Sequence, residues 1–503
     1  MLPGRIGARG DNRDMSRRWL FADQLGPHFL DERKQPVLLI ESKAVFRRRV
    51  YHRQKAHLIL SALRHRAAEL GDQAIFLRGE TYGQALSRVR EPLEVCHPTS
   101  RRALEFVREL DRVTVLPARG YVTSLEDFAD WADGRRGALR MEAFYRFARE
   151  HHGVLLDGRD PAGGRWSFDT ENREPPPKDG RLDVPAPPMP KEDDIDAEVR
   201  ADLDRWAREG IRFTGRDGPR RFPATAREAT ARLRHFLRYR LPAFGRYEDA
   251  MLSTDPWLAH SLLSSSFNLG LLDPLEAVRG AERAYRRQGA PLAAVEGFVR
   301  QVMGWRDYIW HTYWYFGKGW RDSNELGARR SLPDWWRDLD ADAVDARCLR
   351  DALTGVRDRA WVHHIPRLMV LGNYALQRGW RPAELVEWFH TRFVDGYEWV
   401  MTGNVVGMSQ YADLGRMTTK PYVAGGAYIN RMSDYCGGCR YDPRQRLGED
   451  ACPFTAGYWA FLARNRGRLP ANARMARTMK QLSRLSDLDA VVAQETRRGS
   501  DPP

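Results

Sequence analysis

Val37-Leu38-Leu39-Ile40, then a helical pattern between Val50 and Gly71, then Ala74-Ile75-Phe76-Leu77, is the stretch on which the fold turns. The two apolar runs have the length of buried strands. Between them Leu60, Leu63, Ala67 and Leu70 recur at helical spacing among Arg and His, as on a helix with one apolar face. A strand, a helix and a strand in that order form a right-handed crossover and leave the two strands parallel. Working outward, Trp19-Leu20-Phe21-Ala22 precedes this unit. Leu93-Glu94-Val95-Cys96 and Val113-Thr114-Val115-Leu116 follow it, with helical patterns from Thr81 and Arg101 between. The alternation predicts a doubly wound, mostly parallel α/β sheet over residues 16–135. Such sheets bind ligands beyond the carboxyl ends of their strands. Asp23-Gln24-Leu25 and Glu41 stand at such ends, and Tyr51-His52-Arg53-Gln54-Lys55 is a further lining segment. No glycine fingerprint follows the first strand, so a dinucleotide is not indicated there.

From Gly158 to about Glu192 the chain turns polar and rich in Pro and Gly, with Arg173-Glu174-Pro175-Pro176-Pro177 and Pro185-Ala186-Pro187-Pro188-Met189-Pro190. Such runs form neither regular helix nor central strand. They predict a connector over residues 136–194, wrapped on the surface between two domains. Beyond Ile195 the pattern is helical, giving an all-α domain over residues 195–487. Eleven of the 16 Trp fall between Trp305 and Trp459, so the densest core is expected there. The stretch after Asp487 reads as a frayed end. Met1–Asp14 is rich in Gly and Arg without periodicity, so Met15 is expected to be the functional start and Met1–Asp14 dispensable.

At 503 residues a prior of ~150 residues per domain allows two to four domains. Hydrophobic content of 42% and aromatic content of 11% indicate a globular chain. The net charge is +14 and the basic residues are overwhelmingly Arg. Arg forks suit phosphate, so a polyanionic partner such as nucleic acid fits, although an Arg-favouring codon bias gives the same surface. No run of 18 apolar residues is found, and the basic start lacks the apolar centre of a secretory signal. A monomer in a reducing cytoplasm, without a membrane partner, is expected.

The cysteines carry the sharpest local signal. Cys348, Cys436-Gly437-Gly438-Cys439 and Cys452-Pro453 supply four thiolates in the helical half, while Cys96 lies in a strand-like run and reads as a core thiol. Four soft thiolates close a tetrahedral zinc site or hold a cubane iron–sulfur cluster. A redox pair at the C-x-x-C is the weaker alternative.

Five further stretches, taken with these cysteines, form a specific set: His260-Ser261-Leu262-Leu263-Ser264; Gly304-Trp305-Arg306-Asp307-Tyr308; His363-His364-Ile365-Pro366-Arg367-Leu368-Met369; Thr419-Lys420-Pro421-Tyr422; and Tyr428-Ile429-Asn430-Arg431-Met432-Ser433-Asp434-Tyr435-Cys436. From about Arg17 to Arg477 the chain resembles the cryptochrome/photolyase family, in its bacterial iron–sulfur branch of (6–4) photolyases and related cryptochromes. The resemblance implies a U-shaped FAD in an all-helical domain. It implies that Ser261 and Ser264, within His260–Ser264, cradle the pyrophosphate, although helix capping alone accounts for a Ser-rich turn. It implies an Arg367–Asp395 pair beside the flavin ring, with Gln301, Arg306 and Asn404 as further flavin contacts. Met401 stands where relatives often carry a polar residue near flavin N5. A lone His in an apolar helix is usually a core residue. The resemblance instead makes His364 the proton donor to a photolesion, His363 its hydrogen-bond partner, and Tyr422 a lesion-pocket residue. It makes Trp388 the proximal member of an electron-transfer chain, with Trp335 or Trp336 distal. The four cysteines would hold a 4Fe–4S cluster in a structural role, and the N-terminal sheet a ribityl-lumazine antenna at Asp23, Gln24 and Glu41.

The function so implied is light-driven repair of (6–4) pyrimidine photoproducts in UV-damaged DNA by a DNA photolyase. Two alternatives stand: a non-repairing cryptochrome photoreceptor, and a light-independent iron–sulfur nucleic-acid-binding module. His363, His364 and Tyr422 favour repair.

Overall fold

Strands β1 (Arg17–Leu20), β2 (Val37–Ser42), β3 (Ala74–Gly79), β4 (Leu93–Cys96) and β5 (Val113–Leu116) pair in the order β3-β2-β1-β4-β5, all parallel, in the computed structural model. The model describes residues 16–135, 138–469 and 472–503. Met15, the expected start, lies outside the described residues. In register, Trp19 faces Leu38 and Leu39 faces Phe76. All six residues of β2 are buried, whereas β5 at the edge is only partly so. A strand covered on both faces has to be apolar on both, which is why Val37–Ile40 shows no alternation. The order reverses between β1 and β4, so a cleft opens beyond the carboxyl end of β1, next to Asp23.

α1 (Arg53–Leu70) packs on this sheet and, on its other side, against α2 (Asp194–Arg208). α2 starts at a reciprocal capping box between Asp193 and Asp196. Arg64 of α1 binds Glu41 through two bonds of 2.8 and 2.9 Å and Asp202 of α2 at 2.5 Å, all three buried. The first helix after the connector is thus a spatial neighbour of the sheet.

The connector carries a two-residue antiparallel ladder, Leu156–Asp157 with Asp160–Pro161, and short 3-10 turns. Its prolines cannot donate, but their carbonyls accept: Arg240 Nη1 reaches Pro185 O at 2.7 Å and Arg232 Nη2 reaches Pro188 O at 2.5 Å. Arginine therefore fastens the proline-rich run 185–190, which forms no ladder of its own.

The remaining helices enclose the large aromatic core. Those that position the site are α3 (Ser264–Asn268), α4 (Asp307–Tyr315), α5 (Arg347–Arg359), α6 (Pro382–Arg392), α7 (Pro453–Arg464) and α8 (Leu488–Arg498). The frayed end expected after Asp487 is instead α8, which packs on α7. Glu495 of α8 pairs with Arg378, both almost fully buried. A buried pair is costly to break because the survivor is left charged and dry. Glu495→Ala is expected to lower unfolding free energy by about 3–5 kcal/mol. Arg378→Met with Glu495→Leu should recover most of that. Denaturant melts of the two variants check this, and an unchanged midpoint for Glu495→Ala refutes it.

Candidate functional site

The loop before α3 is strained. Leu258 and Leu262 adopt left-handed backbone, with φ of 42° and 56°. Each such residue costs on the order of 1–3 kcal/mol and persists where the surroundings over-determine it. The bend sets His260 against His363, their rings stacked at 4.2 Å and 25°. Ser264 Oγ donates to Asp395 Oδ2 at 2.6 Å. Arg367 grips the same carboxylate with both terminal nitrogens, at 2.8 and 3.0 Å, and its Nε donates to Val362 O at 2.7 Å. Asn268 holds the Asp395 carbonyl at 2.9 Å. The Arg367 guanidinium lies 4.3 Å over Phe393, whose ring is 5.9 Å from Trp388. His260, Ser264, His363, His364, Arg367 and Asp395 thus converge from three segments.

Arg367, Asn404 and the pair Gln301 and Arg306 each sit on a π-helical stretch: Pro366–Gly372, Thr402–Ser409 and Arg300–Arg306. The wider turn re-aims side chains and is common at functional sites. Gln301 donates to the Glu248 carboxylate. Asn404 caps Val400 O at 2.9 Å. Arg306 reaches Gly120 O at 3.0 Å and lies between the rings of Tyr121 and Trp399, in the layer where sheet and helices meet. Met401 is buried in the apolar core, and Ser261, Leu262 and Leu263 form the bend itself. Tyr422 packs half-buried against the same core.

The two neighbouring histidines diverge as helix-start geometry requires. His363 is buried while His364 keeps a solvent-exposed ring. Desolvation, then Arg367, lowers His364 to about 4. The ring is solvent-exposed yet surrounded by enough protein to be desolvated. Desolvation lowers His260 to about 3, and desolvation with His260, His364 and Arg367 drives His363 well below its usual value. All three are neutral at pH 7.

Several buried polar atoms here have no hydrogen-bond partner: Ser265 Oγ, Ser266 Oγ, His260 Nε2 and His363 Nδ1. Native interiors rarely leave such groups unpaired. Unpaired hydroxyls and ring nitrogens at one strained bend fit a polar ligand.

Sequence reading missed Glu248, whose carboxyl burial pushes up to about 8. The native state then holds a proton that the unfolded chain, with an ordinary value of 4.5, releases between those values. Stability contributed by that proton is complete below about 4.5 and lost as pH rises through about 8. Glu248→Gln should therefore gain melting temperature relative to the parent from pH 5 to pH 8. Parallel melting curves for the two proteins across that range contradict this.

At the sheet, Asp23 Oδ2 accepts from Thr99 Oγ1 while Oδ1 is buried without a partner. Desolvation raises its pKa to about 6. Tyr82, Tyr121 and Tyr397 all lie close enough to feel its charge, and Tyr121 stacks on Trp310 at 3.9 Å. Asp23 therefore lies among aromatic side chains contributed by both the sheet domain and the helical domain. Gln24 and Glu41 do not join it. Gln24 is buried and donates to Cys96 O at 3.0 Å, and Glu41 is taken by Arg64. Lys55 is buried across the same boundary, donating to His390 O at 2.6 Å and to Gly396 O, 5.1 Å from the Tyr397 ring. Its pKa falls to about 7 through desolvation. His52 and Gln54 likewise fasten on Arg357 O and Asp358 O. No local pattern flags Tyr397, which comes from the far half of the chain.

The four cysteines meet. Cys348 in the first turn of α5, Cys436 and Cys439 on a 3-10 turn, and Cys452 at the cap of α7 line one pocket with Tyr435, Tyr441 and Phe454. All are free thiols. Gly426 closes the wall, and a Cβ there would stand 2.8 Å from Cys452 Sγ. Desolvation and mutual repulsion push Cys348 up and Cys436 to about 12. Buried thiols so disfavoured as thiolates stay protonated unless a bound cation compensates their charge. Among the described residues, the one set of three possible ligand atoms within 4.8 Å of one another is His65, Asp193 and Asp196. The cysteine sulfurs are spread more widely. Asp196 in that set already binds Arg220 at 3.0 Å.

The fold has solved counterparts. A class III photolyase of Agrobacterium tumefaciens superposes with a TM-score of 0.56 over 98% of both chains at 12% identity. A Synechocystis cryptochrome does so at 0.56 over 96% of this chain and 98% of that one at 13% identity. These place the architecture with the photolyase and cryptochrome folds. In sequence, residues 18–211 match the family described as deoxyribodipyrimidine photo-lyase-related protein. A (6–4) photolyase of Agrobacterium fabrum is 39% identical over 492 residues, 93% of this chain and 95% of that one. The chain belongs to the photolyase/cryptochrome family and is closely related to the (6–4) photolyases.

Proposed function

We propose that this protein is a light-driven DNA-repair lyase that acts on (6–4) pyrimidine photoproducts with FAD. The carrying observation is the convergence of an exposed His364, a buried His363 stacked on His260, and the bidentate Arg367–Asp395 pair, in a chain related over nearly its whole length to a (6–4) photolyase. FAD, when bound, supplies the light-driven electron. Ser265, Ser266 and His260 offer the unpaired polar atoms that would hold it. Arg367 and Asp395 stay mutually paired, so the ring edge meets a fixed dipole and not a loose charge.

His364 gives the lesion a proton and takes it back. Its depressed pKa in the free protein means that the phosphates and lesion of bound DNA must raise it, as nearby negative charge does. His363, neutral and buried, fixes its neighbour's orientation, and Tyr422 contributes to the lesion pocket. The Arg-rich surface supplies sequence-independent phosphate contacts, and a flipped lesion reaches the exposed ring of His364.

The cysteine cavity holds a 4Fe–4S cluster in this reading. A zinc ion with Zn–S near 2.3 Å brings its sulfurs to roughly 3.8 Å of one another, tighter than the spread here. A cubane spaces its four sulfurs farther apart than a zinc ion does. The Asp23 cleft takes the ribityl-lumazine antenna, with Tyr82, Tyr121 and Tyr397 as its aromatic walls and Asp23 Oδ1 as an unpaired acceptor.

The test is direct. Purified protein is given an oligonucleotide carrying one (6–4) lesion, and loss of the lesion is followed in blue light and in the dark. Light-dependent repair is expected. Lesion binding with no repair in the light transfers the chain to the photoreceptor reading, and a preparation without flavin absorption removes both.

A further inference from the structure

Trp388 donates its Nε1–H to Trp336 O at 3.1 Å, and their rings lie 5.0 Å apart. Trp336 is fully buried, and its own Nε1 finds no hydrogen-bond partner among the described residues. From there the path forks, to Trp380 at 4.8 Å and Trp335 at 5.7 Å, which are 6.1 Å from each other. Trp380 is fully buried, and Trp335 alone of the four is partly exposed. Both ends of the fork meet one residue. Trp335 Nε1 donates to Ser500 O at 2.8 Å, and Trp380 Nε1 to Ser500 Oγ at 3.3 Å.

The segment that carries Ser500 is tied on every side. Gly499 turns it away from α8 with φ of 57° and donates to Glu495 O at 3.3 Å. Arg330 Nη1 binds Gly499 O at 3.2 Å, and Asp345 N and Ala346 N donate to Pro503 O at 2.5 and 3.0 Å. The Arg378–Glu495 pair anchors the helix behind it.

We infer that residues 499–503 seal the outer end of this tryptophan chain and set the rate at which electrons enter it. The inner end of the chain rests on the flavin reading above. With flavin bound and illuminated, Trp335 would pass one electron inward through Trp336 and Trp388 toward it. The indole left behind is a cation with an acidic Nε1 proton. It either loses that proton to water or regains one electron from an external thiolate, which becomes a thiyl radical and pairs with a second into a disulfide. Ser500 slows both exits. A peptide oxygen accepts the Nε1–H but is no base for it, and the covering segment restricts the access of water and thiolate to the ring. The electron then returns from inside, and net entry is slow.

The variant that opens the seal is Gly499→Pro. Proline cannot take φ of +57° and lacks the N–H that Glu495 O accepts. Two readouts follow it, with flavin content as a control. The first is oxidation of Trp335 by N-bromosuccinimide in the dark, mapped by mass spectrometry. The second is bleaching of bound flavin by blue light with dithiothreitol as the thiol. Both rates are expected to rise roughly fivefold, the change in open population when a hydrogen bond worth about 1 kcal/mol is lost. Trp336 should remain unmodified. Trp335 reactivity equal to the parent overturns the seal, and raised reactivity with unchanged bleaching overturns its control of electron entry. A preparation without flavin defeats the flavin reading while the first readout still decides the seal. Should Gly499→Pro not fold, Arg330→Ala with Ser500→Ala cuts the side-chain ties while leaving the turn intact, and the same readouts apply.

Discussion

His364→Ala is expected to lose repair of (6–4) lesions by roughly 10²–10⁴-fold, the usual worth of a positioned general acid. The electron still reaches the lesion but, with no proton to trap it, returns and leaves the lesion unchanged. Folding, cofactor content and lesion binding should survive, because His364 is exposed and makes none of the contacts that hold Asp395, Ser264 or His260 in place. His363→Ala separates from it in kind. That ring is buried and stacked on His260, so its loss opens a hole and costs stability as well as repair. The protonation argument has its own check. In the free protein the His364 ring should titrate near 4, and addition of lesion DNA should move that midpoint upward, read by histidine NMR. Repair at the parental rate by His364→Ala ends the proton-donor assignment. A midpoint unmoved by DNA ends the account of how the proton becomes available.

Serine in place of Cys348, Cys436, Cys439 or Cys452 is expected to remove a broad absorption beside the flavin bands and to leave little soluble protein. The four side chains join α5 to the 436–439 turn and the start of α7, which lie much later in the chain. Metal binding to a four-ligand site of this kind is worth on the order of 10 kcal/mol. Net stability is only about 5–15 kcal/mol, so losing the site consumes most of the margin. Cys96→Ser should be silent by comparison. That thiol is buried in β4 and takes a 3.6 Å contact from Arg18 Nη1, which a serine hydroxyl can also accept. Iron and zinc measured in anaerobically purified protein decide the metal. Stoichiometric zinc without iron removes the cluster, and full solubility of all four variants removes its structural role.

What could be read from the chain follows the range of the interaction involved. The strand runs from Trp19 to Leu116, the helical spacing of Leu60 to Leu70 and the proline-rich connector are visible because neighbours in sequence dictate local periodicity. The end after Asp487 misled because α8 is held by Arg378, more than a hundred positions away. Glu41 looked like a ligand residue at a strand end, yet burial beside α1 left it no choice but Arg64. Sequence also left Trp335 and Trp336 undivided. Packing divides them, with Trp336 buried against Trp388 and Trp335 turned toward Ser500.

By itself the sequence determined the parallel α/β sheet, the helical half, the four cysteines as one chemical set, and the histidine doublet beside Arg367. Only the tertiary structure decided which histidine meets solvent, that Tyr82, Tyr121 and Tyr397 gather around Asp23, that Glu248 carries a raised pKa, and that Ser500 covers the tryptophan chain. The physical reason is the same in each case. Desolvation and hydrogen-bond satisfaction depend on every group packed nearby, and those groups come from parts of the chain whose order says nothing of their distance.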